Sequence, residues 1–123
     1  MSIKLVVFDM DGLLLNDNYS VTAYTKSVMQ KLINKDVEIV LCTGRSISYC
    51  YQYIEELNLN SYIVVANAAQ IWYVSKKLLD QYLMVTYLIE SIWDHGHVNN
   101  FFMMLASANL KQINFSKAQL LVG

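Results

Sequence analysis

With 123 residues the chain has room for one ordinary domain, or one and a fragment, and not for two. Its 55% hydrophobic content against 15% charged residues excludes a disordered polypeptide. A formal net charge of -1 gives no electrostatic case for binding nucleic acid or an acidic membrane surface.

Residues 3–8 (IKLVVF) form a short apolar run, rich in β-branched side chains and ended by Asp9, as a strand buried on both faces would be. The run is broken by an acid too early to serve as a secretory leader, so a cytoplasmic location is expected. After a polar loop, Ser20 is placed to cap a helix reaching about Lys35, with Val21, Tyr24, Val28, Leu32 and Ile33 on its buried face. Residues 37–42 repeat the strand pattern. Ser46 then opens a second helix that places Ile47, Cys50, Tyr51, Ile54 and Leu57 on one side. Residues 62–66 read as a third strand and 71–74 as a short fourth.

Strands alternating with helices of this length imply right-handed βαβ crossovers, hence a doubly wound α/β sheet with helices on both faces. The rhythm stops near residues 75–80, which sets expected domain boundaries of 1–77 for the sheet domain and 78–123 for an added α+β unit. In that unit a helix is expected over 83–94 and strands over 101–106 and 111–115. The apolar stretch 78–93 contains Asp80, Gln81 and Glu90, so no membrane span is expected there. Cys42 and Cys50 read as reduced thiols without a ligand role.

In doubly wound sheets, ligands bind beyond the carboxyl ends of the strands, which directs attention to Asp9, Thr43 and Asn67. In VVFDMDGLLL two carboxylates stand two residues apart at the end of a strand. If the backbone stays extended through Met10, Asp9 and Asp11 point the same way. Their mutual repulsion is relieved by a hard cation such as Mg²⁺. Gly12 lets the chain turn. The plainer reading is a strand end followed by a tight Asp-Gly turn. A calcium loop does not fit, because Gly12 is fourth counted from Asp9 and that loop needs glycine at the sixth position.

In VLCTGRS the hydroxyl of Thr43, the amides around Gly44 and the start of a helix make a natural nest for phosphoryl oxygens, with Arg45 as a bidentate clamp. An ordinary strand-to-helix turn is the alternative. His95 and His97 form an H-x-H pair without a third ligand and read as surface residues.

DMDGLLL followed by CTGRS about thirty residues later resembles the first two motifs of the haloacid dehalogenase superfamily. The match is nearest to the Cof-type sugar-phosphatase branch, where a segment like ANAAQIW also occurs. The resemblance implies a Rossmann-like core with a cap, of which residues 78–123 would be a part. It also implies Mg²⁺-dependent hydrolysis of small phosphorylated metabolites through an aspartyl-phosphate. In that scheme Asp9 is the nucleophile and a metal ligand. Asp11 is the acid and base, and binds the metal through its main-chain carbonyl. Thr43 and Gly44 hold a phosphoryl oxygen, while Arg45 and Asn67 lie nearer the substrate. Leu13 stands where the family usually has threonine, and Ala68 where it usually has glycine. The family also uses a later lysine, which Lys117 resembles only faintly, and a later acidic pair. No acidic residue follows Asp94. The competing expectation is a truncated or degenerate domain without catalysis that binds metal or phosphate, or self-associates as a homo-oligomer through a sheet edge. A receiver-like phospho-acceptor would want an aspartate where Asn67 stands.

Overall fold

The computed structural model describes residues 3–101. Strand β1 (Leu5–Asp9) lies parallel to β2 (Glu38–Cys42), in a register that pairs Leu5 with Glu38 and Asp9 with Cys42. Strand β2 lies parallel to β3 (Tyr62–Val65). Helix α1 (Ala23–Ile33) carries the chain from β1 to β2, and α2 (Ile47–Glu56) carries it from β2 to β3. The β3–β4 and β4–β5 connections are too short for a crossover, so β4 (Gln70–Tyr73) and β5 (Lys77–Gln81) follow as antiparallel hairpins. The sheet order is β1-β2-β3-β4-β5.

That order explains where the core lies. Two right-handed crossovers stepping the same way place both helices on one face of the sheet. Ile39, Leu41, Ile63 and Val65 on that face pack with Met29 of α1 and with Cys50, Tyr53 and Ile54 of α2. On the other face Leu5 and Val7 remain 48% and 53% exposed. The α/β architecture is the expected one, and within the first unit α1 and α2 pack on one face of the sheet.

Several local expectations shift for identifiable reasons. Thr22, not Ser20, caps α1, its hydroxyl accepting the Thr25 N–H at 3.1 Å. Ser20 is occupied elsewhere, donating its hydroxyl and its N–H to the Asn16 side-chain carbonyl. Tyr24 points outward, 80% exposed, and Met29 takes the buried position on α1. Strand β5 was not anticipated. Because it pairs with β4, the first compact unit runs to Tyr82, five residues beyond the expected boundary at 77. Tyr82 closes this unit by donating its N–H to the Ala69 carbonyl at 2.8 Å.

The second unit begins at Leu83, and its described part is helix α3 (Thr86–Val98). His95 and His97 lie in the last turn of α3. Apart from residue 101, the strands expected over 101–106 and 111–115 lie outside the described residues, as does Lys117. Among the described residues no helix is long and apolar enough to cross a membrane. Both cysteines are free. Burial pushes the Cys50 thiol up to about 11, which keeps it protonated and unreactive.

Candidate active site

Three loops meet at the carboxyl end of the parallel strands. The first begins at Asp9, the last residue of β1, whose carboxylate accepts the Met10 N–H at 2.7 Å. Met10 is fully buried between exposed Asp9 and Asp11, an alternation that leaves both acids on the solvent side. The chain closes a wide turn when Leu15 N–H donates to the Met10 carbonyl at 2.8 Å. Within it Asp11 is extended, and Gly12 adopts φ 73, the left-handed conformation that costs other residues strain. Leu14 and Leu15 anchor the turn in the core.

The second loop leaves β2 at Thr43. Cys42 is the register partner of Asp9, so Thr43 emerges at the same rim as the acids. Thr43 is 5% exposed, and its hydroxyl accepts the Arg45 N–H at 3.2 Å. Ser46 begins α2 without a side-chain cap; its hydroxyl pairs with that of Ser48 at 2.9 Å. The first-turn amides of α2 thus have no side-chain cap from Ser46.

The third loop follows β3. Ala66, Asn67 and Ala68 all adopt positive φ, at 52, 53 and 68. This left-handed run is clamped to the second loop: Ala66 N–H donates to the Arg45 carbonyl at 2.8 Å and Asn67 N–H to the Thr43 carbonyl at 3.3 Å. The Asn67 side-chain oxygen lies 2.8 Å from where a Cβ on Gly44 would stand. Only glycine at 44 therefore admits the observed Asn67 pose.

Arg45 joins the first and second loops. Its Nε donates to one oxygen of Asp11 at 2.9 Å and a terminal nitrogen donates to the other at 2.6 Å, a bidentate fork. Hydrogen bonding from Arg45 holds the Asp11 carboxyl below its usual range, and the same pair raises the Arg45 guanidinium. Sequence reasoning put Arg45 nearer the substrate; here its fork is closed on Asp11. It also missed Tyr19 and Tyr53, whose rings lie 5.3 and 5.9 Å from the Arg45 guanidinium carbon. No local spacing connects these residues. Asp9, Asp11, Thr43, Gly44, Arg45 and Asn67 thus sit on three adjoining loops, while His95 and His97 belong to the second unit.

Among the described residues no three His, Cys, Asp or Glu side chains converge. The oxygen donors at the rim are the Asp9 carboxylate and the backbone of the acidic turn. Such a set suits a hard cation that completes its shell with water and phosphate, and does not suit a soft-metal site.

Fold and rim together define an α/β protein that presents an acidic turn and a threonine-glycine-arginine turn on adjacent parallel strands. Residues 6–118 match the family of haloacid dehalogenase-like hydrolases. The chain is 34% identical over 103 residues to the 5-amino-6-(5-phospho-D-ribitylamino)uracil phosphatase of Bacillus subtilis, covering 82% of this chain and 41% of that protein. It is 28% identical over 69 residues to the HMP-PP phosphatase of Serratia proteamaculans, covering 56% and 25%. A haloacid dehalogenase-like hydrolase from B. subtilis superposes with a TM-score of 0.72 at 23% identity, over 80% of this chain and 34% of that one. Another from Bacteroides thetaiotaomicron gives 0.71 at 20% identity, over 80% and 39%. The chain belongs to the haloacid dehalogenase-like hydrolases, and its relatives are phosphatases of the Cof-type branch. It spans less than half the length of these relatives.

Proposed function

We propose that this chain carries the nucleophile-bearing part of a Mg²⁺-dependent phosphohydrolase acting on small phosphorylated metabolites. The observation that carries the reading is the rim itself: Asp9 ends β1 in register with Cys42, directly before the buried hydroxyl of Thr43. The phosphatase relatives supply the substrate class.

In this reading the free carboxylate oxygen of Asp9 attacks phosphorus, and the bond to the leaving oxygen breaks as Asp11 delivers a proton to it. Asp11, now ionised, takes a proton from water; the hydroxide attacks phosphorus and Asp9 is regenerated as phosphate departs. The Arg45 fork keeps Asp11 ionised at rest, so the fork must loosen and Asp11 take up a proton from solvent before it can protonate the leaving oxygen. Thr43, the Gly44 backbone and the open first turn of α2 receive phosphoryl oxygens, and Asn67 faces the rest of the substrate. The Asp9 carboxylate and the Asp11 main-chain carbonyl would hold Mg²⁺, which when bound neutralises phosphoryl charge.

Full turnover in the family draws on a later lysine and acidic pair, so this chain alone is expected to hydrolyse p-nitrophenyl phosphate weakly or not at all. Binding is the sharper test. Adding Mg²⁺ and inorganic phosphate should shift the backbone amide resonances of residues 10–12 and 43–45, and Asp9→Asn should abolish those shifts. Shifts that survive the substitution sink the reading. A second reading, self-association without catalysis, is favoured by the half-exposed Leu5 and Val7 on β1, an edge strand of the described sheet. A concentration-independent monomer in sedimentation would remove it.

A further inference from the structure

We infer that Tyr19 and Tyr53 are positioning residues for Asp11, acting through Arg45. The inference rests on the reading of Asp11 as acid and base, and it concerns how that carboxylate is kept in place. An arginine side chain has several free torsions, so a fixed fork on a half-exposed carboxylate needs something behind the guanidinium. Two tyrosines supply it.

Tyr53 is rooted in the core on α2, 3% exposed, with its ring 5.9 Å from the guanidinium carbon. Its hydroxyl donates to the Tyr19 main-chain carbonyl at 2.8 Å, across 34 residues of sequence. Tyr19 is 65% exposed and stands at φ 54, a conformation that a tyrosine adopts only when held. The holding is visible. Asn16 accepts, on one side-chain oxygen, the N–H of Asn18 and both the N–H and hydroxyl of Ser20, each at 3.0 Å. Tyr19 N–H returns to the Asn16 carbonyl at 2.9 Å, and Asn16 N–H donates to the Ser20 carbonyl at 3.1 Å. The knot turns the Tyr19 ring over Arg45, 5.3 Å from its guanidinium carbon. Were Tyr53 only core filler, its hydroxyl would have no work and phenylalanine would serve equally. Instead the hydroxyl ties the knot to α2, so the two rings that reach the same cation are held to one another.

Arg45 is the sole arginine of the chain. Its Nε–Hε resonance is therefore assigned by inspection in a nitrogen-proton spectrum of the whole 123-residue protein. The wild-type signal should be protected from solvent exchange, and Asp11→Asn should remove the protection. Tyr19→Leu, at an exposed position, and Tyr53→Phe, which keeps the ring, should each speed the exchange about two- to fivefold, the effect of one weakened cation–π contact. Tyr24→Leu, at a still more exposed position on α1, should leave it unchanged. Melting curves confirm that each variant is folded. An unprotected wild-type signal overturns the inference outright; wild-type exchange in a folded Tyr19→Leu protein overturns it for the Tyr19 ring, and wild-type exchange in a folded Tyr53→Phe protein overturns the role of the Tyr53 hydroxyl tie. Failure of the phosphatase reading looks different: it appears in the Mg²⁺ response at Asp9, and leaves the arginine signal as it was.

Discussion

The two ends of the sheet make an instructive pair. The amino end holds a hollow of about 310 Å³, lined in part by Asp36, Glu38, Asn58, Asn60 and Ser61. It too has left-handed residues, Asp36 at φ 57 and Asn58 at φ 51. Their bonds show what they do: Asp36 N–H returns to the Ile33 carbonyl and Asn58 N–H to the Glu55 carbonyl, so both terminate helices. Glu38 is matched there by the neutral hydroxyl of Ser61 at 2.9 Å. At the carboxyl end, left-handed residues aim side chains, and an acid is matched by a guanidinium. In a parallel α/β sheet the helices also start at the carboxyl end and finish at the amino end. Partial positive charge therefore gathers at one rim and partial negative charge at the other. Backbone polarity and the convergence of side chains mark the rim suited to an anion.

The comparison can be tested from its largest effect downward. Gly12→Ala at the carboxyl rim has open space for a Cβ but the wrong backbone, and should cost about 1–2 kcal/mol in chemical denaturation. Asn58→Gly at the amino rim, where asparagine already tolerates the left-handed region, should stay within about 0.5 kcal/mol. Equal costs would erase the distinction between a loop that shapes a site and one that ends a helix.

The Asp11–Arg45 pair gives the smaller effect. Asp11 has 47% of its side chain exposed, so solvent screening limits the fork to about 0–1 kcal/mol. Its folded carboxyl is depressed, so the folded state binds fewer protons there than the unfolded one. The contribution is present above the ordinary value of 3.8 and fades as pH falls through the depressed one. Asp11→Asn should flatten that acid-side loss in a pH series of urea melts. An unchanged series would mean the fork does not form in solution.

Much of this rim was legible in the sequence because it follows from one rule, that strand ends in such sheets carry the ligand-facing residues. Asp9, Thr43 and Asn67 were picked out that way, and the pairing of Asp9 with Cys42 and the Asn67 N–H bond to the Thr43 carbonyl bring them near one rim. Strand β5 escaped because KLLDQ carries little apolar alternation and pairs only at the sheet's far edge. The cap of α1 was misplaced by two residues, since Ser20 and Thr22 are chemically alike and only the Asn16 knot distinguishes them. The closed fork was illegible for a different reason. Arg45 and Asp11 lie 34 residues apart, and nothing local says that the arginine of the threonine-glycine-arginine turn pairs with an acid of the first loop. Tyr19 and Tyr53 stay silent on the same grounds.

The most direct test asks whether Asp9 takes a phosphoryl group. Beryllium fluoride mimics phosphoryl on a reactive carboxylate, and fluorine resonances report the adduct without any need for turnover. The wild-type chain should give a Mg²⁺-dependent bound signal that Glu38→Gln at the amino rim preserves and Asp9→Asn eliminates. A signal of the same strength in Asp9→Asn, or none in the wild type, would contradict the account.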